Sequence, residues 1–321
     1  MSELRYNPLL DTWTMVAANR QKRPDMPKDW CPFCPSGGKV PADFDVLLYP
    51  NDFPVLSTEP EMLLHENGLY QRMPAYGYCD VVLYSPKHEA RLHELSDAHI
   101  IKLVDLWKSR NEELSQDEDV KYVFVFENRG AEVGVTMPHP HGQIYSYPFV
   151  PLKIETELWN CKAHFQELGT NLFDDMNRSE LQNGSRLIME TDSFLAYIPY
   201  FTDYPFGVFI VSKDNTQHFA DFTTQHKKDL ALMLKRITKG MDNLYNKLFP
   251  YMMCVHQAPV NEEEWVDCAD YYRFHIEFYP PLRGENSIKH MASSESGGWA
   301  ATNTVLVEEA AQQLRRAMGV N

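Results

Sequence analysis

Two histidines one residue apart, in Met137-Pro138-His139-Pro140-His141-Gly142-Gln143-Ile144-Tyr145, are the densest chemical signal in this 321-residue chain. On an extended segment alternate side chains share a face, so both imidazoles can serve one site. Pro138 and Pro140 restrict the backbone, and Gly142 lets another group approach closely. One ring can hold a metal while the other stays free as a nucleophile. A neutral imidazole nitrogen attacks phosphorus to form a labile phosphoramidate, which splits one hard transfer into two easier ones. Gln143 can donate a hydrogen bond to the charge that develops on the phosphate. The chemically empty alternative is a Pro-stiffened turn whose histidines face solvent.

The second signal is Trp30-Cys31-Pro32-Phe33-Cys34-Pro35. A CxxC supplies half of a tetrahedral Zn2+ site, and the other two ligands must come from elsewhere. His88, His139 or a distant cysteine such as Cys79 are candidates. A redox CxxC opens a helix after a strand, whereas here prolines flank the motif and no helical pattern follows. The third signal is Glu157, His256, His275 and Glu277. The strand period of two puts His275 and Glu277 on one face. Imidazole with carboxylate suits Zn2+ or Fe2+. The same residues could instead form a buried hydrogen-bonded His–carboxylate pair.

Composition narrows what such sites can serve. The chain is 44% hydrophobic and 23% charged, with a formal net charge of −15. That is enough apolar material for a sizeable core and excludes intrinsic disorder. No apolar run approaches the ~18 residues of a membrane span. The start has no basic-then-apolar signal pattern, so a cytoplasmic location with six reduced cysteines is expected. An acidic chain repels nucleic acids and anionic membranes, so neither is an expected partner. A small anionic substrate in a locally basic pocket remains open, and Arg20, Lys22 and Arg23 form the only early basic cluster.

The elements that must position these residues can be read coarsely. Residues 1–60 read as loops and short strands. An apolar run at 80–86 precedes a helix opened by Ser96 and Asp97, with Ile100, Leu103, Val104 and Trp107 at helical spacing. Two β-rich runs follow, at 122–130 and 143–150. The second half repeats this order. Runs at 194–200 and 206–212 precede a helix opened by Thr223, with Leu230, Met233, Ile237, Met241 and Leu244 on one face, and runs at 251–259 and 271–281 follow. In this presumed duplication His139/His141 face His275/Glu277. Residues 166–185 read as a linker, which divides the chain into halves at 1–165 and 186–321. A last helix is expected near Val305–Met318, acidic at its start and basic at its end, as the helix dipole favours.

With these motifs in place the chain resembles the galactose-1-phosphate uridylyltransferase family of the histidine-triad superfamily. The resemblance runs nearly end to end and is carried by RYNPLLDTW, NRQKRP, CPFC, the NDF of 51–53, SPKH, FENRG, HPHGQ, HQAP and FYPP. It implies an α+β, duplicated histidine-triad-like fold, in which helices pack on a curved, mostly antiparallel half-barrel sheet, assembled as a homodimer. It implies ping-pong transfer of uridylate from UDP-glucose to galactose 1-phosphate, with His141 as nucleophile and Gln143 bonding the phosphate. Zinc falls on Cys31, Cys34, His88 and His139, and a second metal, Fe2+ or Zn2+, on Glu157, His256, His275 and Glu277. Many members have histidine where this chain has Glu277. Arg20 and Arg23 map near the phosphates, Asn51 and Asp52 near uridine, and Asn128 and Thr136 near the α-phosphate. Lys289 and Glu295 map to the sugar phosphate across the dimer interface. Ser294 replaces the Tyr that some members carry before that Glu, and the Gly- and Ser-rich 294–303 stretch is expected to be mobile. A related enzyme of adenine nucleotides, an ADP-sugar or dinucleoside-polyphosphate phosphorylase, would use the same nucleophile.

Overall fold

The β-rich runs of both halves join one sheet. The computed structural model describes residues 2–18, 30–62 and 68–320. Strands β1 (Ser2–Asn7) and β2 (Thr12–Ala17) form a hairpin. After them come β3 (Leu47–Pro50), β4 (Arg72–Pro74) and β5 (Tyr78–Leu83), then helix α1 (Asp97–Leu114), β6 (Tyr122–Arg129) and β7 (His141–Tyr147). Helices α2 (Leu152–Leu168) and α3 (Leu172–Asn183) lead into β8 (Leu187–Glu190), β9 (Phe194–Tyr197) and β10 (Phe209–Ser212). Helix α4 (Thr224–Leu244), β11 (Tyr251–His256), β12 (His275–Tyr279), β13 (Leu282–Gly284), β14 (Ser287–Ile288), α5 (Ser293–Gly298) and α6 (Val307–Met318) complete the chain.

The main sheet has nine strands in the order β3-β5-β7-β6-β11-β12-β10-β9-β8, and every neighbouring pair is antiparallel. It is open, with β3 and β8 at its edges. The order is mirrored about the β6–β11 pairing: β5, α1, β6 and β7 on one side answer β10, α4, β11 and β12 on the other. The register refines the sequence reading here. His141 and Gln143 oppose Leu83 and Val81 of β5, whereas His275 and Glu277 oppose Val211 and Phe209 of β10. The structural counterpart of His275 and Glu277 is therefore His141 and Gln143, not His139 and His141.

Alternation along β6 divides the core. Val123 and Val125 pack with Trp107 of α1 and with Leu230, Met233 and Ile237 of α4, all buried. Phe124 and Phe126 point the other way, toward Ile154 and Leu158 of α2 and Phe173 of α3. Each fully buried apolar side chain of this kind contributes roughly 1.5–3 kcal/mol. Both long helices begin where the sequence places them. The Ser96 hydroxyl accepts from the His99 amide (3.2 Å) and the Thr223 hydroxyl from the His226 amide (3.3 Å), satisfying otherwise orphaned donors.

The reading of residues 166–185 changes. Residues 166–185 are mostly helical: they finish α2 and form α3. Gly169 and Gly184 adopt positive φ as helix C-caps, and the Asn171 side chain accepts from the amides of Phe173 and Asp174. The turn-like residues are caps, and Phe173 is buried between them. The Ser-rich stretch opens with α5, where the Glu295 carboxylate accepts from the Ala292 amide (3.2 Å).

Candidate active site and metal centres

His141 opens β7 beside a cleft of about 730 Å3 that is also lined by Asn128, Arg129, His88, His139 and Arg91. Its Nδ1 lies 2.7 Å from the His139 carbonyl oxygen. A carbonyl can only accept, so Nδ1 carries the proton and Nε2 keeps its lone pair. Gln143 lies two residues on along the same strand face. The Tyr145 hydroxyl donates to Gln143 Oε1 (3.1 Å), which fixes the amide and leaves its NH2 group available as a donor. Phe33, between the two cysteines of the CxxC, stands edge-on to His141 with ring centroids 5.8 Å apart.

Cys31, Cys34, His88 and His139 come together, their ligand atoms all within 4.8 Å of one another. His139 Nε2 donates to the Ser85 carbonyl (2.8 Å), which turns Nδ1 toward the thiols at 3.8 Å from Cys31 Sγ and 3.6 Å from Cys34 Sγ. His88 Nδ1 is 3.4 Å from Cys34 Sγ. Ligands held at ~2.0–2.3 Å from a tetrahedral zinc lie ~3.3–3.8 Å apart, so the set fits that ion. Burial pushes His139 down to about 4, keeping the ring neutral as a ligand must be. Burial and the adjacent Cys31 push the Cys34 thiol up to about 11, a preference a divalent cation would reverse.

Glu157, His256, His275 and Glu277 also converge, again within 4.8 Å. His275 Nδ1 donates to the Arg273 carbonyl (3.0 Å), the same bond to the residue two back that His141 makes, and this frees Nε2 to face the carboxylates. That Nε2 is 3.5 Å from Glu277 Oε1 and 3.7 Å from Glu157 Oε2. His256 Nδ1 is 2.9 Å from Glu157 Oε2, so the hydrogen-bonded His–carboxylate pair read from sequence is present as well. Burial disfavours charge on His275, yet Glu277 and Glu157 raise its pKa. Two carboxylates thus draw positive charge into a buried site, and two imidazoles with two carboxylates suit Zn2+ or Fe2+.

The remaining expected residues divide. Asn128 lines the cleft, and exposed Thr136 sits between its lining residues Val135 and Met137. Asn51 Oδ1 accepts from the Phe53 amide, making NDF a turn at the end of β3. Asp52 accepts from Lys39 Nζ (2.8 Å) and the Tyr49 hydroxyl (2.9 Å), and Tyr49 packs on Phe33. Lys289 Nζ is 3.7 Å from Glu295 and rests against Met291 and the Tyr204 ring; neither Lys289 nor Glu295 lines the cleft. Arg20 and Arg23 lie outside the described residues.

Sequence reading missed what stands behind His141. A Cβ at Gly142 would sit 2.3 Å from the Tyr84 hydroxyl. Glu127, beside Tyr84, is fully buried and accepts from the Tyr251 hydroxyl (3.1 Å). Burial pushes the Glu127 carboxyl up to about 7, although Arg129 opposes the shift. The only sequence signal was a Glu two residues after Val125 on an inward strand face.

An open antiparallel sheet that presents a neutral imidazole, His141, beside a Cys2His2 group able to hold a metal ion defines the site of this α+β protein. The chain belongs to the galactose-1-phosphate uridylyltransferase family: the N-terminal domain of that family matches residues 1–151 and its C-terminal domain residues 157–319. Galactose-1-phosphate uridylyltransferase of Thermotoga maritima is 41% identical over 98% of both chains. A solved uridylyltransferase structure superposes with a TM-score of 0.89 at 28% identity, covering 99% of this chain and 98% of that one. An ADP-glucose phosphorylase from Arabidopsis thaliana follows at 0.74 and 25%, covering 98% and 99%.

Proposed function

We propose that the chain transfers UMP from UDP-glucose to galactose 1-phosphate through a uridylyl-histidine. The observation that carries this reading is the His141 Nδ1 bond to the His139 carbonyl, which commits Nε2 to nucleophilic attack. Nε2 forms a bond to the α-phosphorus while the bond from that phosphorus to the bridging oxygen breaks, and glucose 1-phosphate leaves. The phosphate oxygen of galactose 1-phosphate then attacks the same phosphorus, the P–N bond breaks, and UDP-galactose departs. The Gln143 NH2 group, oriented by Tyr145, donates to the phosphoryl oxygens as charge builds on them. Asn128 contacts the same oxygens, with Thr136 beside it; Arg20 and Arg23 meet the phosphates, and Asn51 and Asp52 meet the uridine.

Zn2+ on Cys31, Cys34, His88 and His139 would be structural, because four protein ligands leave no open position, and so would the ion on the second set. Such a site steadies His139, whose carbonyl aligns the nucleophile. Lys289 and Glu295 bind the sugar phosphate in the cleft of a second copy, a homodimer supported by their position outside the cleft of their own chain. The halves at 1–165 and 186–321 belong to the same reading, supported by the mirrored strand order. No helix among the described residues is long and apolar enough to cross a membrane, in keeping with a cytoplasmic site of action.

The test is mass spectrometry of the purified protein after incubation with UDP-glucose alone. A uridylyl adduct on His141, absent in His141→Gly together with ~10⁴-fold or more of the turnover, is the expected result. The variant should keep its fold and metal content. An adenylyl adduct formed only from ADP-glucose would move the assignment to the adenine-nucleotide branch.

A further inference from the structure

Glu277 divides its two oxygens. Oε1 faces the ligand set, 3.5 Å from His275 Nε2 and 3.8 Å from His256 Nδ1. Oε2 is taken by Lys153 Nζ at 2.5 Å and by the Tyr279 hydroxyl, and Lys153 Nζ also lies 2.7 Å from that hydroxyl. Lys153 Nζ is 3.9 Å from Glu157 Oε1 as well, so one ammonium serves both carboxylates of the set. The Glu277 side chain is 3% exposed whereas that of Lys153 is 55% exposed. A buried carboxylate is thus met by a cation that reaches in from the surface of α2, one turn before Glu157.

The charge arithmetic gives this contact a purpose. Two ionised carboxylates, two neutral imidazoles and a divalent ion sum to zero, and Lys153 adds one positive charge. One carboxylate, three neutral imidazoles and the same ion sum to the same value. Glu277 together with Lys153 is therefore equivalent in charge to a third histidine. The two differ when the ion leaves: a histidine brings no cation of its own, while Lys153 remains to balance buried Glu277, which would otherwise be strongly destabilising. With the ion in place, an ammonium close by lowers its affinity, and Tyr279 and Lys153 keep Glu277 to a single ligand oxygen.

We propose that Lys153 is an internal counter-cation of the second metal set, weakening its hold on the metal and keeping the site folded when the metal is gone. This rests on the reading that Glu157, His256, His275 and Glu277 bind a divalent ion. The experiment is calorimetric titration of Zn2+ into the chelator-stripped full chain, with Glu157→Gln identifying which binding event belongs to this set. Lys153→Met should bind Zn2+ there roughly tenfold or more tightly, and Lys153→Arg should stay within about threefold of wild type. The rise in melting temperature on adding Zn2+ should be larger in Lys153→Met, because its stripped form loses the ammonium that meets Glu277 Oε2. Lys153→Gln is the second variant should the methionine protein fold poorly. Unchanged or weaker binding in both neutral variants would overturn the role of Lys153. No Zn2+ event sensitive to Glu157→Gln in wild type would overturn the metal reading, and the proposal with it.

Discussion

Gly142 sits between His141 and Gln143, and its missing side chain is a requirement of packing. Tyr84 fills the space where a Cβ would be, with its hydroxyl 2.3 Å from that point and the Phe126 carbonyl 3.1 Å from it. Gly142→Ala must push one of them away or lift β7, so it should destabilise the protein by about 1–3 kcal/mol and lower turnover by displacing His141 and Gln143. Tyr84→Phe in that background should recover part of the loss, and alone should cost no more than about 2 kcal/mol, since the Tyr84 hydroxyl lies beside the buried Glu127 carboxyl. Denaturant melts of the double-mutant cycle check this. The residue types HPHGQ announce their chemistry in sequence; the tyrosine behind them does not, because it comes from the segment just after β5.

The elements matter through what they hold at their ends. The CxxC lies on no strand or long helix; Phe33 packs between its cysteines on Val81 and Leu83, and Cys31 and Cys34 approach His88 and His139. Cys34→Ser should therefore lose about one zinc per chain and lower the melting temperature by at least ~5 °C, while the chemical step suffers less. Metal analysis together with a thermal melt decides it, and wild type purified without zinc would refute it. Helix α2 was not read from the sequence, although Ile154, Leu158 and Cys161 recur at helical spacing and are buried. Pro151 before it and Gly169 after it look like loop residues until they are seen as its two ends. With α2 in place, Lys153 and Glu157 fall one turn apart on one face, and this unread helix delivers both to the cluster with His256, His275 and Glu277.

At the scale of the molecule, β6 and β11 join the halves, and the join carries buried charge. Asp242 of α4 accepts from Arg129 (2.7 Å) and Arg91 (3.2 Å), and Glu127 lies next to Arg129 on β6. With its pKa raised from 4.5 to about 7, folded Glu127 holds a proton that the unfolded chain has released. Stability should therefore fall as pH rises from about 4.5 to 7, by on the order of 3 kcal/mol from this group. Glu127→Gln should flatten that part of the pH profile in urea melts; an unaltered slope would refute the assignment. The net charge of −15 disfavours polymer partners, but it does not show where an anion is received. Sequence by itself determined the candidates: a histidine beside a second histidine, a CxxC, four further residues of ligand type and two long helices, because residue type and local periodicity are encoded locally. Only the tertiary structure decided the pairings. It set His141 rather than His139 opposite the role of His275, it brought Cys31 and Cys34 to His88 and His139, and it placed Lys153 on Glu277. These depend on strand register and on contacts between residues 54 to 124 positions apart, which no local pattern records.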